Sequence, residues 1–133
     1  MTTWLDVVDD SRAIHAIYGG EAPPLGWVDL HEVSVHRDGP QANLRFDLST
    51  YPTNPPKKWQ DSHFNTAQVE LALFPLYELL VEGFHHDSRV NLCLTSRDET
   101  VEAVTRAGST KMRIVAQHVV IVKIAGYSQE REI

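Results

Sequence analysis

Val69-Glu70-Leu71-Ala72-Leu73 alternates apolar side chains with polar or small ones. A period of two puts Val69, Leu71 and Leu73 on one face of an extended chain and Glu70 on the other, the pattern of a strand with one buried and one wet side. The same period runs through Val33-Ser34-Val35, Leu44-Arg45-Phe46-Asp47-Leu48 and Val90-Asn91-Leu92-Cys93-Leu94. These runs and the segments that flank them predict strands near 27–37, 42–50, 66–74, 77–83, 89–96, 110–117 and 119–126. Asp38-Gly39 signals a hairpin between the first two, because that dipeptide accepts the positive φ of a tight turn. Pro75 has no N–H for a ladder and marks an edge, a bulge or a corner. Val119-Val122 is apolar on successive residues, which suggests burial on both faces or a central position in the sheet. The stretch 98–108 is ambiguous: Val101 and Val104 lie at helical spacing, and it reads as a short helix or an irregular strand.

The start of the chain differs. Trp4, Val7, Val8, Ile14 and Ile17 fall near helical spacing. Val7-Val8 followed by Asp9-Asp10 is poor for one long helix, so two short ones are expected. Gly19-Gly20 and then Pro23-Pro24 end this region. The fold class that follows is mainly β (α+β): a curved antiparallel sheet or sandwich of about seven strands with one or two short N-terminal helices.

At 133 residues the chain is expected to be one domain, 1–133, long enough to bury a core without a disulfide or metal. No apolar run approaches the roughly 20 residues that span a bilayer. The N-terminus has neither a basic segment nor an apolar core, so no signal peptide is read. With one cysteine, Cys93, no internal disulfide can form; this fits a cytoplasmic location. The formal net charge is −6, with basic residues scattered. That balance disfavours nucleic acid, whose phosphates call for clustered Lys and Arg, and favours encounter with a basic protein. It also simply keeps a small protein soluble.

Catalytic and metal signatures are weak. His85-His86-Asp87 is the densest titratable group, but neighbours on a strand point to opposite faces, and an exposed turn pair is the plainer reading. His31 and His36 lie five apart, on opposite faces of a regular strand, and read as surface residues. No H-x-x-x-H, H-x-H or C-x-x-C spacing supports zinc. Cys93 sits mid-strand on the face opposite Leu92 and Leu94, as a structural cysteine. Serine-hydrolase, P-loop and dinucleotide motifs are absent from the sequence. Asp29, Glu32, Asp47 and Glu70 are strand carboxylates, read as a solvated sheet face; a hydrolase would need two of them about 5–10 Å apart in a cleft. No enzyme, cofactor or metal is expected. The segment Tyr51–Asn65 breaks the β pattern with three prolines and carries Trp59. At roughly 15 residues it exceeds common loops, which are then usually functional or disordered, and its aromatics argue for packing.

The frame as a whole resembles a known family. A Trp4 helix is followed by Ile17-Tyr18-Gly19-Gly20, Pro23-Pro24-Leu25, Val33-x-Val35 and Leu44-x-Phe46-x-Leu48. Pro55-Pro56-Lys57-Lys58-Trp59, Asn65 before Val69-x-Leu71-x-Leu73, and Leu79-x-Val81-x-Gly83-Phe84 complete it. This order is similar to the immunity protein 50 family of bacterial polymorphic-toxin systems, over residues 4 to 126. After the Gly-aromatic pair this chain has His85-His86-Asp87, where the family tends to be polar. The resemblance implies a small cytoplasmic protein that binds and neutralises a cognate toxin. Candidate partner-binding residues are Lys57, Trp59, Asp61 and His63 in the long loop, with Asp29, Glu32 and Asp47 steering a basic partner. No membrane partner is expected, and a homodimer stays open. The alternative is a small-molecule or carbohydrate-binding β-module in which Trp27 or Trp59 stacks on a flat ligand.

Overall fold

The computed structural model describes residues 3–130. Six antiparallel strands form one sheet that closes on itself, in the order β1-β2-β3-β6-β5-β4. They are β1 (Val28–His36), β2 (Gln41–Asp47), β3 (Thr66–Glu82), β4 (Arg89–Arg97), β5 (Thr100–Ala107) and β6 (Lys111–Tyr127). The curved sheet is therefore a barrel, and the sandwich alternative falls away. The difference from seven expected strands has three causes. The runs near 66–74 and 77–83 are one strand through Pro75, and the runs near 110–117 and 119–126 are one strand too. The ambiguous stretch after Asp98 is a strand, because Val101 and Ala103 alternate inward with Glu102 between them.

The alternation decides what is inside. Val28 and Leu30, then Ala42, Leu44 and Phe46, then Val69, Leu71 and Leu73 are buried along the first three strands. Leu92 and Leu94 are buried on β4 with Cys93 half-buried between them. Ile114, Ala116 and Val119 complete the lining from β6. A 3-10 turn, Trp4–Asp6, and helix α1, Arg12–Tyr18, precede the barrel and add Trp4, Leu5, Val8 and Ile14 to the same core. The Trp4 indole N–H, which must find an acceptor once buried, donates to the Pro23 carbonyl at 2.7 Å. The Asp38-Gly39 hairpin joins β1 to β2, with Gly39 at φ +132°.

Four interruptions of the ladder shape the surface. Leu30 pairs with Phe46 and Glu32 with Arg45, so His31 is an extra residue on β1. By the same bookkeeping Tyr77 is extra on β3, Val122 on β6 and Arg106 on β5. A bulge leaves one residue unpaired and turns it out of the pleat; all four are exposed. This corrects two expectations. Val119 is fully buried but Val122 is 51% exposed, so the Val119-Val122 run is not buried on both faces; its strand does lie centrally, between β3 and β5. The bulge also carries His31 and His36 to the same outward side of β1, where both are exposed.

The barrel closes narrowly. β1 meets β4 only through Val28↔Val90 and Asp29↔Arg89, helped by Leu30 N–H to Ser88 O and Leu92 N–H to Leu25 O, both 3.0 Å. This seam and the ends of β2 and β6 beside it carry a polar cluster.

Candidate acidic site at the barrel seam

Asp29 on β1 lies directly opposite Asp47 on β2. Facing carboxylates repel, so the sheet must offset two like charges here. His31, pushed outward by its bulge, brings Nε2 to 2.8 Å from Asp47 Oδ2 and 3.5 Å from Asp29 Oδ2. From β3, the Gln68 side-chain amide donates to Asp47 Oδ1 at 2.9 Å. From the end of β6, the Tyr127 hydroxyl donates to Asp47 Oδ2. Asp47, only 4% exposed, thus ties together residues from four strands. Arg45 extends the network: its Nε reaches Glu32 at 3.3 Å and its guanidinium reaches Gln68 Oε1 at 3.5 Å. Burial raises the Tyr127 hydroxyl well above the usual phenol range, and the Asp47 hydrogen bond and the nearby Asp47 and Asp29 charges add to that rise, against a smaller opposing pull from Arg45.

A cavity of about 430 Å³ adjoins this cluster, lined among others by Trp27, Asp29, Asp47, Arg89, Gln129 and Glu130. Trp27 is 53% exposed at its edge. Its backbone holds φ +52°, a left-handed conformation costly for a bulky side chain. The Asn91 side chain fixes it there by accepting the Trp27 N–H at 2.8 Å. The result is a fixed backbone that places a large, half-exposed aromatic side chain beside carboxylates.

The chemistry available is limited by these contacts. Asp29, His31 and Asp47 offer ligand atoms within 4.8 Å of one another, a spacing a cation could use. Both Asp47 oxygens, however, already accept from protein donors. For glycoside hydrolysis a carboxylate must reach the substrate as nucleophile, base or acid; Asp47, turned into its donors and 4% exposed, does not. The arrangement is suited to presenting negative charge and an aromatic face.

A family model described as Immunity protein 50 matches residues 10–127. This chain belongs to the immunity protein 50 family. No curated protein matches this immunity protein 50 member. Among solved structures it is similar to an uncharacterized protein from Neisseria gonorrhoeae, at 14% identity and a TM-score of 0.48, covering 74% of this chain and 92% of that one. No helix among the described residues is long and apolar enough to cross a membrane.

The candidate residues of this immunity protein 50 member separate into two groups. Asp29 and Asp47 are brought together, and Glu32 joins them through Arg45 and Gln68. In the long loop, Lys57 to Asp61 form a one-turn helix, α2 (Lys57–Asp61). Lys57, Asp61 and His63 are exposed, whereas Trp59 is buried at 8%. Trp59 stacks near Tyr51, with ring centroids 6.0 Å apart, and lies over Gly126 so closely that a Cβ there would stand 2.6 Å from its ring. It anchors the loop to β6 and offers no face for a flat ligand. The His63 carbonyl accepts from Ser128 Oγ, just past the end of β6, at 3.4 Å. His31, Gln68 and Tyr127 were not legible as site residues. Their roles depend on the β1–β2 register and on a tyrosine eighty positions after Asp47. The one available signal was the break in alternation at His31-Glu32, which marks the bulge.

Proposed function

We propose that this protein neutralises a cognate bacterial toxin in the cytoplasm by stoichiometric binding, and that Trp27 and Asp29, with the buried charge of Asp47 behind them, form the centre of the contact. Membership of an immunity protein family carries the reading. The site supports it: an exposed tryptophan beside a cavity lined by three carboxylates, Asp29, Asp47 and Glu130, against one cation, Arg89, suits a basic side chain of a protein partner, since aromatic faces and carboxylates both attract cations. The net charge of −6 would speed encounter with such a partner. Glu32, Lys57, Asp61 and His63 are proposed as the rim of the contact, and Trp59 as the support that holds its loop.

The test is association kinetics against the toxin encoded beside this gene. Reversing Asp29 and Glu32 to lysine should slow association at least tenfold at low salt and flatten its salt dependence. Unchanged association with an unchanged salt slope would remove this face from the interface.

A further inference from the structure

We propose that two copies of this chain pair antiparallel through the outer edge of β1, centred on Ser34. Beyond Asp29, β1 has β2 on one side and, among the described residues, no strand on the other. Likewise β3 runs on past the end of β2 after Leu73; Leu76 N–H still reaches Pro40 O at 2.8 Å, and from Tyr77 to Glu82 the strand is paired, among the described residues, with β6 alone. Between these two free edges lies an apolar groove of about 520 Å³, whose side chains include Val33, Val35, Leu79, Val81 and Phe84. Val35 is 51% exposed, Phe84 44% and Leu79 38%. An unpaired edge carrying an exposed valine, Val35, beside the half-buried Val33 is a template for another strand.

What fits is set by the sequence of the edge. Glu32-Val33-Ser34-Val35-His36 is self-complementary about its middle residue. In an antiparallel two-fold pairing centred on Ser34, Val33 faces Val35 of the second copy, and Glu32 faces His36 of the second copy, at both ends of the seam. Directly opposed side chains are the unit of sheet stabilisation, and here two valines meet while a carboxylate meets an imidazole whose N–H can donate to it, with no like charges opposed. Glu32 gives one oxygen, Oε1, to Arg45 and its side chain remains 53% exposed, leaving the second oxygen for the imidazole of the second copy. A two-fold axis makes each of these contacts twice. The pairing leaves Trp27 and Asp29 uncovered but shares Glu32 with the rim proposed for the toxin, so Val35→Asp and the Ser34 cross-link, which touch neither Trp27 nor the acidic cluster, separate it from toxin binding.

Sedimentation equilibrium of the purified full chain should give twice the 15.0 kDa chain mass. Val35→Asp, at an exposed position outside the core, should return the single-chain mass while circular dichroism stays that of the folded protein. Glu32→Lys should weaken the pair at least tenfold at low salt, and Glu32→Lys with His36→Glu should restore it. The register has its own readout. In antiparallel pairs opposed Cα atoms are about 4.5–5.5 Å apart, within disulfide reach. In a Cys93→Ser background, Ser34→Cys should therefore cross-link to itself on oxidation, and Val35→Cys should not. A single-chain mass at 100 μM, or a dimer untouched by Val35→Asp, would overturn the proposal. So would cross-linking through position 35 in place of 34.

Discussion

Asp47→Ala should be the most damaging single change on the polar side of this barrel. The carboxylate is 4% exposed and accepts from His31, Gln68 and Tyr127. Hydrogen bonds to charged groups contribute about 1.5–3 kcal/mol each, and a stranded buried donor costs about 1–3 kcal/mol. His31 is a third exposed and can turn to water, so its share is small. Removing Asp47 also relieves its repulsion with Asp29 directly opposite. The net loss is then about 3 kcal/mol, a large part of the 5–15 kcal/mol that holds a domain folded. With an unfolding entropy of about 2.1 cal/mol/K per residue, that corresponds to a fall in Tm of roughly 10 °C. Asp47→Asn keeps one acceptor but turns an amide toward a donor, and should lose about half as much. Differential scanning calorimetry at pH 7 measures both. If Asp47→Ala melts within about 3 °C of the parent, the network does not hold the seam and the structural role assigned to Asp47 is wrong.

Trp27→Ala should leave the melting temperature within about 3 °C, because half the side chain is already exposed, yet weaken toxin binding by about 2 kcal/mol, or some thirtyfold, as expected for an interfacial tryptophan; titration calorimetry with the cognate toxin checks it. Gly126→Ala should cost about 1–3 kcal/mol by overpacking, because its Cβ would meet Trp59 and Phe64 at 2.6 to 2.9 Å, and Trp59→Ala should cost about 3–5 kcal/mol through the cavity it leaves. Urea unfolding measures both. In alkali, the raised Tyr127 phenol favours the neutral form in the fold. Its contribution is complete below the unfolded pKa of about 10 and is lost as pH rises above it, since the unfolded chain ionises first. Stability measured from pH 9 to 12 should therefore fall less steeply in Tyr127→Phe than in the parent.

Local rules carried much of the fold. Leu44-x-Phe46 and Leu71-x-Leu73 state their inward faces directly, and Asp38-Gly39 states its turn. The misplaced boundaries share one physical origin. Pro75 removes a single donor, which a ladder with a bulge two residues later absorbs without ending the strand. Val122 is apolar but is the extra residue of a bulge, so its hydrophobicity says nothing about burial. Val104, at helical spacing from Val101, is only half-buried and hid the period of two in β5. The site was legible only in part. Asp29, Glu32 and Asp47 stood out as strand carboxylates, but their convergence follows from cross-strand register, which one sequence does not state. Trp59 stood out for its proline-rich loop and proved to be core, because the glycine that admits its ring lies sixty-seven positions later at Gly126.

The most direct measurement of the function assigned here is co-expression with the toxin gene adjacent on the chromosome, read as growth and as the composition of the purified product. Binding in fixed ratio should restore growth and bring both chains through size exclusion together, with Trp27→Ala and Asp29→Lys together reducing both. Growth restored while the toxin emerges alone and chemically altered would mean that this barrel acts by turnover, and would contradict neutralisation by binding.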